Sequence, residues 1–94
     1  MVKVSILCWQ EIPSLVEGKD GTTAKKVELS QRFQELIDLI AMKRKLDGTD
    51  EYLMHWNKKP RPEVEGDLEE VVAAVAEEIE AEYERIKFQA IAES

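Results

Sequence analysis

Val2-Lys3-Val4-Ser5-Ile6-Leu7-Cys8-Trp9 opens the chain with apolar residues at every second position, the period of a strand that buries one face. Val2, Val4, Ile6 and Cys8 fall on one side, and Lys3, Ser5 and Leu7 on the other. Pro13 lacks a ladder N–H and holds Ile12 extended, so a turn or an edge strand is expected at Glu11–Ser14, continuing as a short strand over Ser14–Glu17. Gly18-Lys19-Asp20-Gly21 then supplies two glycines and an Asp-Gly step for a hairpin tip. On its far side Thr22–Leu29 reads as a third strand, with Val27 and Leu29 on one face and Lys26 and Glu28 on the other.

The period changes at Ser30. Phe33, Leu36, Ile37, Ile40 and Ala41 recur at helical spacing, and Ser30 offers an N-cap oxygen to the first orphaned amides. Lys43, Arg44 and Lys45 complement the negative end of the helix dipole, and Gly48 suits the left-handed C′ position, so this helix is predicted to reach Leu46. Leu39, Met42 and Leu46 widen its apolar arc, which implies cover on more than one side and motivates a homodimer through the Ser30–Leu46 helix. Thr49 is a second N-cap, and Thr49–Asn57 reads as a short helix with Tyr52 and Trp56 on one face. Lys58-Lys59-Pro60-Arg61-Pro62 stops it, and Glu63-Val64-Glu65 follows as a brief edge strand. Asp67 and Glu70 form a D-x-x-E capping box that opens one long last helix. Leu68, Val71, Val72, Val75, Ile79, Tyr83 and Ile86 make its apolar stripe, and Glu69, Glu77, Glu80 and Glu84 its solvated face, where Glu80 and Glu84 repel mildly.

Three strands, a helix, a short helix, a brief strand and a helix make a single α+β domain over residues 1–94. The expected layout is a small antiparallel sheet of three to four strands with helices packed on one face, ferredoxin-like or split-βαβ. With 94 residues, 44% of them hydrophobic and 35% charged, the chain can bury one thin core and has little room for a large cofactor, so none is expected. A formal charge of −7 weighs against a nucleic-acid partner. The acid is concentrated: Met1–Arg61 holds eleven basic and nine acidic residues, Pro62–Ser94 two basic and eleven acidic. The last helix is therefore a solvated acidic face or a docking surface for a basic partner. The lone cysteine cannot form an internal disulfide, and no apolar run resembles a signal-peptide core or a membrane span. A soluble cytoplasmic protein without membrane contact is expected.

Particular residues carry a family likeness. The run Trp9-x-x-Ile12-Pro13, then Lys26-Val27-Glu28-Leu29 with Arg32-Phe33, Ile37-Asp38 and Ala41-Met42, then Thr49-Asp50-x-Tyr52-Leu53-x-x-Trp56, resembles the short bacterial "virulence factor" domain family over roughly residues 1–85. Two departures stand out: Gln10-Glu11 follows the tryptophan where the family pattern has Arg-Asp, and Ser14-Leu15-Val16 follows the proline where it has Ala-Gln-Val. The resemblance implies an accessory or interaction module with no assigned reaction, met elsewhere fused to helical repeats and near genes of folate- and corrinoid-linked methyl transfer.

The residues name no reaction of their own. Cys8, His55 and Asp50 are the types of a nucleophile, base and orienting acid, but nothing in their spacing brings them within hydrogen-bond reach. Cys8 is in phase with the buried side of the first strand and reads as a structural thiol. A metal on His55 would need ligands from distant segments, and no HExxH, CxxC, P-loop or GxGxxG occurs, so no metal site is expected. Trp9, Tyr52 and Trp56 form the most distinctive constellation: either they line a groove with Met54 or His55 at its rim, or they plug a small core. Lys58, Lys59 and Arg61 beside them can attract an anion or an acidic peptide, and Lys43–Lys45 form a second basic group; both also fit ordinary helix-end charges. Two functions follow: a non-enzymatic module docking on a larger protein, which we prefer, or a small-molecule binding protein or enzyme with a pocket near Trp9, Tyr52, His55 and Trp56.

Overall fold

A computed structural model of the chain describes residues 1–46, 48 and 50–93. Strands β1 (Lys3–Trp9), β2 (Ile12–Asp20), β3 (Thr23–Glu28) and β4 (Trp56–Pro60) form one antiparallel sheet in the order β3-β2-β1-β4. Helices α1 (Gln31–Lys43), α2 (Asp50–Met54), α3 (Leu68–Ala81) and α4 (Tyr83–Glu93) complete an α+β fold. The strands joined through α1 and α2 are β3 and β4, at opposite edges of the sheet. The fold is thus a β1-β2-β3 meander extended by β4 on the free edge of β1, rather than the split-βαβ or ferredoxin-like layout expected.

Each strand has a local cause. The alternation in β1 holds, and Val2, Val4, Ile6 and Cys8 are buried. β2 is longer than expected and carries Pro13 in an interior strand, opposite Cys8. A β-bulge makes this tolerable: Leu7 faces Leu15 and Cys8 faces Pro13, so Ser14 is the extra residue. The Ser14 carbonyl accepts from the Leu29 amide at 3.0 Å, which ties the bulge to the end of β3. The hairpin tip is at Gly21, with φ of 63°, and Gly18 lies inside β2, buried under α3. β4 takes up Trp56-Asn57, read from the sequence as the end of a helix, together with Lys58-Lys59-Pro60, read as part of the segment that stops it. Its residues pair with β1 from Ser5–Pro60 to Trp9–Trp56, and the Arg61 amide extends the ladder to the Val4 carbonyl at 2.8 Å. The brief strand at Glu63–Glu65 reduces to a single bridge between Val64 and Val2.

The helices also end where their neighbours dictate. α1 stops at Lys43, and Lys45, with φ of 59°, takes the left-handed C′ position assigned above to Gly48. The Leu46 amide reaches the Ala41 carbonyl at 2.8 Å and the Lys45 amide the Met42 carbonyl at 3.1 Å, a Schellman closure. α2 spans five residues, and the proposed Thr49 cap lies outside the described residues. Asp67 caps α3 by accepting from the Glu70 amide at 3.2 Å, half of the expected box. The long last helix divides at Glu82 into α3 and α4. Glu80, next to the break, is part-exposed but engaged: its carboxylate accepts from the Ser30 amide (2.6 Å), the Ser30 hydroxyl (2.8 Å) and Arg32 Nη2 (3.0 Å). Ser30 therefore makes no side-chain cap on α1; its hydroxyl is engaged across the fold. Arg32 Nη2 also donates to the Glu80 backbone carbonyl at 2.7 Å, and its guanidinium lies 4.3 Å over the Tyr83 ring. This clasp joins the start of α1 to the α3–α4 junction.

The core lies between the sheet and α3, with Val4, Ile6 and Val16 from the sheet, Val72 and Ile79 from α3, and Phe33, Ile37 and Ile40 from α1. α3 rests on β2 and β3. Trp9 and Ile12, which share a side of the sheet with Leu7, are also fully buried, and at Trp9 the cover comes from α2.

Candidate functional site

The aromatic constellation assembles at the Trp9 end of the sheet. Trp9 and Trp56 face each other in the β1–β4 ladder, and α2 lays Tyr52 on Trp9 with ring centroids 5.4 Å apart. Trp9 Nε1 donates to the Tyr52 carbonyl at 2.8 Å, satisfying the one polar atom of a fully buried indole. His55 meets Trp9 edge-on at 5.6 Å, and Tyr52 meets Trp56 edge-on at 6.3 Å. Tyr52 and Trp56 come together because the chain leaves α2 at Met54 and enters β4, not because they share a helical face. The Gln10–Glu11 connection braces the same corner: Gln10, with φ of 54°, donates its amide to the His55 carbonyl at 2.9 Å. Asn57 Nδ2 reaches the Gln10 carbonyl at 3.3 Å.

Trp9 is thus a plug with no exposed surface, and Tyr52, His55 and Trp56 are its half-buried outer layer. Among the described residues, none of five surface clefts is lined by all four. Tyr52 borders a shallow cleft of about 370 Å³ with Asp38, Ala41 and Met42 of α1. Leu39, Met42, Leu53 and Met54 stand exposed nearby in the chain, so the outer arc of α1 is uncovered.

Lys58, Lys59 and Arg61 do not form one basic group, because a strand sends successive side chains to opposite faces. Lys58 turns to the face of Lys3, Ser5 and Leu7 and pairs with Glu17 at 3.6 Å. Lys59 turns to the helix side, into a cleft beside Cys8. Arg61 pairs with Glu78 of α3 at 3.3 Å. In the second basic group, Arg44 reaches Glu11 at 3.4 Å.

The open face of the sheet is the surface that sequence reasoning missed. The ladder brings Lys3, Lys19, Lys26 and Lys58 to this side around half-buried Leu7 and Leu15. Acids sit among them: Glu17, nearly buried, pairs with Lys26 (3.7 Å) and Lys58 (3.6 Å), Glu63 pairs with Lys3 (3.4 Å), and Glu28 stands opposite Leu15. Shallow clefts run along it, about 370 Å³ beside Lys3, Glu17 and Lys58 and about 450 Å³ beside Leu7, Leu15 and Gln34. The surplus acid lies on the other side, on α3 and α4. Residues such as Glu69 and Glu78 there take up Lys25 and Arg61. Register alone exposes this division: once the four strands are paired, the parity of each lysine is set.

The cleft beside Cys8 holds about 350 Å³ between Ile6, Cys8, Pro13 and Lys59 of the sheet and Ile79, Ile86 and Arg85 of the helices. Burial pushes the Cys8 thiol above its ordinary value, opposed by the Lys59 ammonium and aided by Glu11. A thiol so held is a poor nucleophile at neutral pH. His55 is at the aromatic corner and is absent from the lining of this cleft. Among the described residues no three His, Cys, Asp or Glu side chains converge as a metal-binding group. No helix among them is long and apolar enough to cross a membrane.

A family model described as "Virulence factor" matches residues 7–92, nearly the whole chain. The chain belongs to the virulence factor family. Comparison with curated proteins and with solved structures finds no match. Of the residues that carry the family likeness, Trp9, Ile12 and Phe33 are core, Tyr52 and Trp56 cover Trp9, and Arg32 forms the clasp on Glu80. Part of the likeness is thus carried by residues that build the fold, while Met42 and Leu53 of the same runs are exposed.

Proposed function

We infer that this member of the virulence factor family is a non-catalytic interaction module that docks an acidic segment of a larger protein on the open face of its sheet. One observation carries the reading: in a chain of formal charge −7, the lysines of one sheet face are segregated from the acidic helices that cover the other. Complementary potential steers encounter and fixes register, while the half-buried Leu7 and Leu15 offer apolar contact between the charges. Trp56 and Tyr52 close one end of the same face, so the aromatic corner and Lys58 contribute to one surface. Lys59 points to the other side, and Arg61 borders the cleft beside Lys3 and Lys58 while paired with Glu78 of α3.

The test uses a labelled glutamate-rich amphipathic peptide as probe, with binding read by fluorescence anisotropy. Lys19→Glu combined with Lys58→Gln is expected to weaken binding about tenfold or more, with the circular dichroism spectrum unchanged. Lys25→Glu, on the helix side of the sheet, is expected to leave it unaltered. Equal loss in both variants, or equally tight binding of duplex DNA, overturns the reading in favour of unspecific polyanion attraction.

A further inference from the structure

The cleft beside Cys8 lies across the sheet from the lysine face and has a different character. Its floor is apolar, built from Ile6, Pro13, Ile79 and Ile86, with the Cys8 thiol set into it. Four charged groups ring the rim, Glu11, Lys59, Arg85 and, at the end of α4, Glu93; two of them are already engaged, as Glu11 accepts from Arg44 at 3.4 Å and Arg85 donates to Glu82 at 2.9 Å. Lys59 makes no ion pair among the described residues. Its ammonium acts on the Cys8 thiol more strongly than the Glu11 carboxylate does. A free cation above an apolar floor suits a ligand with an anionic head and an apolar body. The volume of about 350 Å³ corresponds to about twelve non-hydrogen atoms at the ~30 Å³ a liquid water occupies.

We propose that this cleft binds a small organic monocarboxylate, its carboxylate on the Lys59 ammonium and its apolar chain on Ile79 and Ile86. The Cys8 thiol, at the floor, is covered by the bound molecule and takes no covalent part. The site is independent of peptide docking, because Lys58 and Lys59 point to opposite faces of the sheet.

Octanoate is the probe and octylamine its counterpart of opposite charge. Titration followed by methyl resonances is expected to give saturable octanoate shifts at Ile6, Ile79 and Ile86. Iodoacetamide alkylation of Cys8 is expected to slow about threefold or more at saturation. Lys59→Met is expected to weaken octanoate about tenfold, the loss of one charge-assisted contact, and to leave acidic-peptide binding unchanged. Octylamine binding as tightly as octanoate, an unchanged octanoate affinity in Lys59→Met, or the absence of saturable shifts at millimolar octanoate each overturns the proposal. A failure of peptide docking alone bears only on the open face.

Discussion

Gly18 of β2 and Val72 of α3 touch with no room for a side chain between them: a β-carbon on Gly18 would run into Val72 Cγ2 and lie 3.0 Å from Leu68 Cδ1. This contact sets how closely α3 approaches the sheet, and with it the depth of the core. Gly18→Ala is expected to lower stability by ~1–3 kcal/mol, the cost of overpacking a filled interior. Val72→Ala makes space at the same point, so the double variant should be more stable than the sum of the two single losses implies. Urea unfolding of the four proteins measures the coupling; strict additivity would show that the glycine serves some purpose other than this packing.

Glu80 gives the fold a pH dependence of known sign. Partial burial pushes its carboxyl up, but hydrogen bonds from the Ser30 amide and hydroxyl and from Arg32 outweigh that, and the group titrates below the ordinary glutamate range. A depressed pKa in the folded state contributes stability above the unfolded-state pKa and loses it as pH falls through the folded one. Glu80→Gln is expected to cost about 1–2 kcal/mol at neutral pH, as hydrogen bonds to a charged group are lost. The gap from the parent protein should close in acid, once Glu80 is protonated in both states. A gap that stays constant down to strongly acidic pH would mean that the clasp acts through shape alone.

The contrast between β1 and β4 explains what was legible. β1 declares itself because its apolar residues alternate and the buried side repeats without interruption. Trp56-Asn57-Lys58-Lys59-Pro60 shows no such alternation and contains a proline, and only the free edge of β1 makes it a strand. The α3–α4 division was hidden for a similar reason. Ala81-Glu82-Tyr83 is locally compatible with a continuous helix, and the break coincides with Arg32, distant in sequence, holding the Glu80 carbonyl. The same distance conceals the candidate sites: that Lys58 lies on the open face and Lys59 on the side of the thiol cleft follows from the register of β4, which no local pattern announces. Where residues act through neighbours in sequence, as at Asp67 and Glu70 or along the buried face of α1, the reading survived.

The two tryptophans should separate in solution. Trp9 is fully buried with its N–H bonded to the Tyr52 carbonyl, whereas Trp56 is half-exposed at the start of β4. Trp56→Phe is expected to remove most acrylamide-quenchable fluorescence and leave a blue-shifted, protected emission from Trp9. Trp9→Phe keeps a ring in the plug but orphans the Tyr52 carbonyl, an expected loss of about 1–3 kcal/mol. If Trp9 emission quenches as readily as that of Trp56, the aromatic corner opens as a groove.

Cys8 tests whether the wall of the helix-side cleft is closed to chemistry. Burial raises its thiol, with Lys59 opposing and Glu11 assisting, so the thiolate is scarce in the folded protein at neutral pH. Iodoacetamide should therefore label Cys8 far more slowly in the native protein than in urea. The linkage also has a definite direction. A pKa raised in the folded state contributes stability that is fully present below the unfolded thiol pKa and declines as pH rises through the folded one. Cys8→Ser is insensitive to this loss, since a hydroxyl does not ionise in that range. Its stability relative to the parent, measured by urea unfolding from neutral to alkaline pH, should improve steadily. If the difference between the two proteins is flat with pH, the thiol is no more buried in solution than an exposed cysteine, and the cleft is open to nucleophilic chemistry after all.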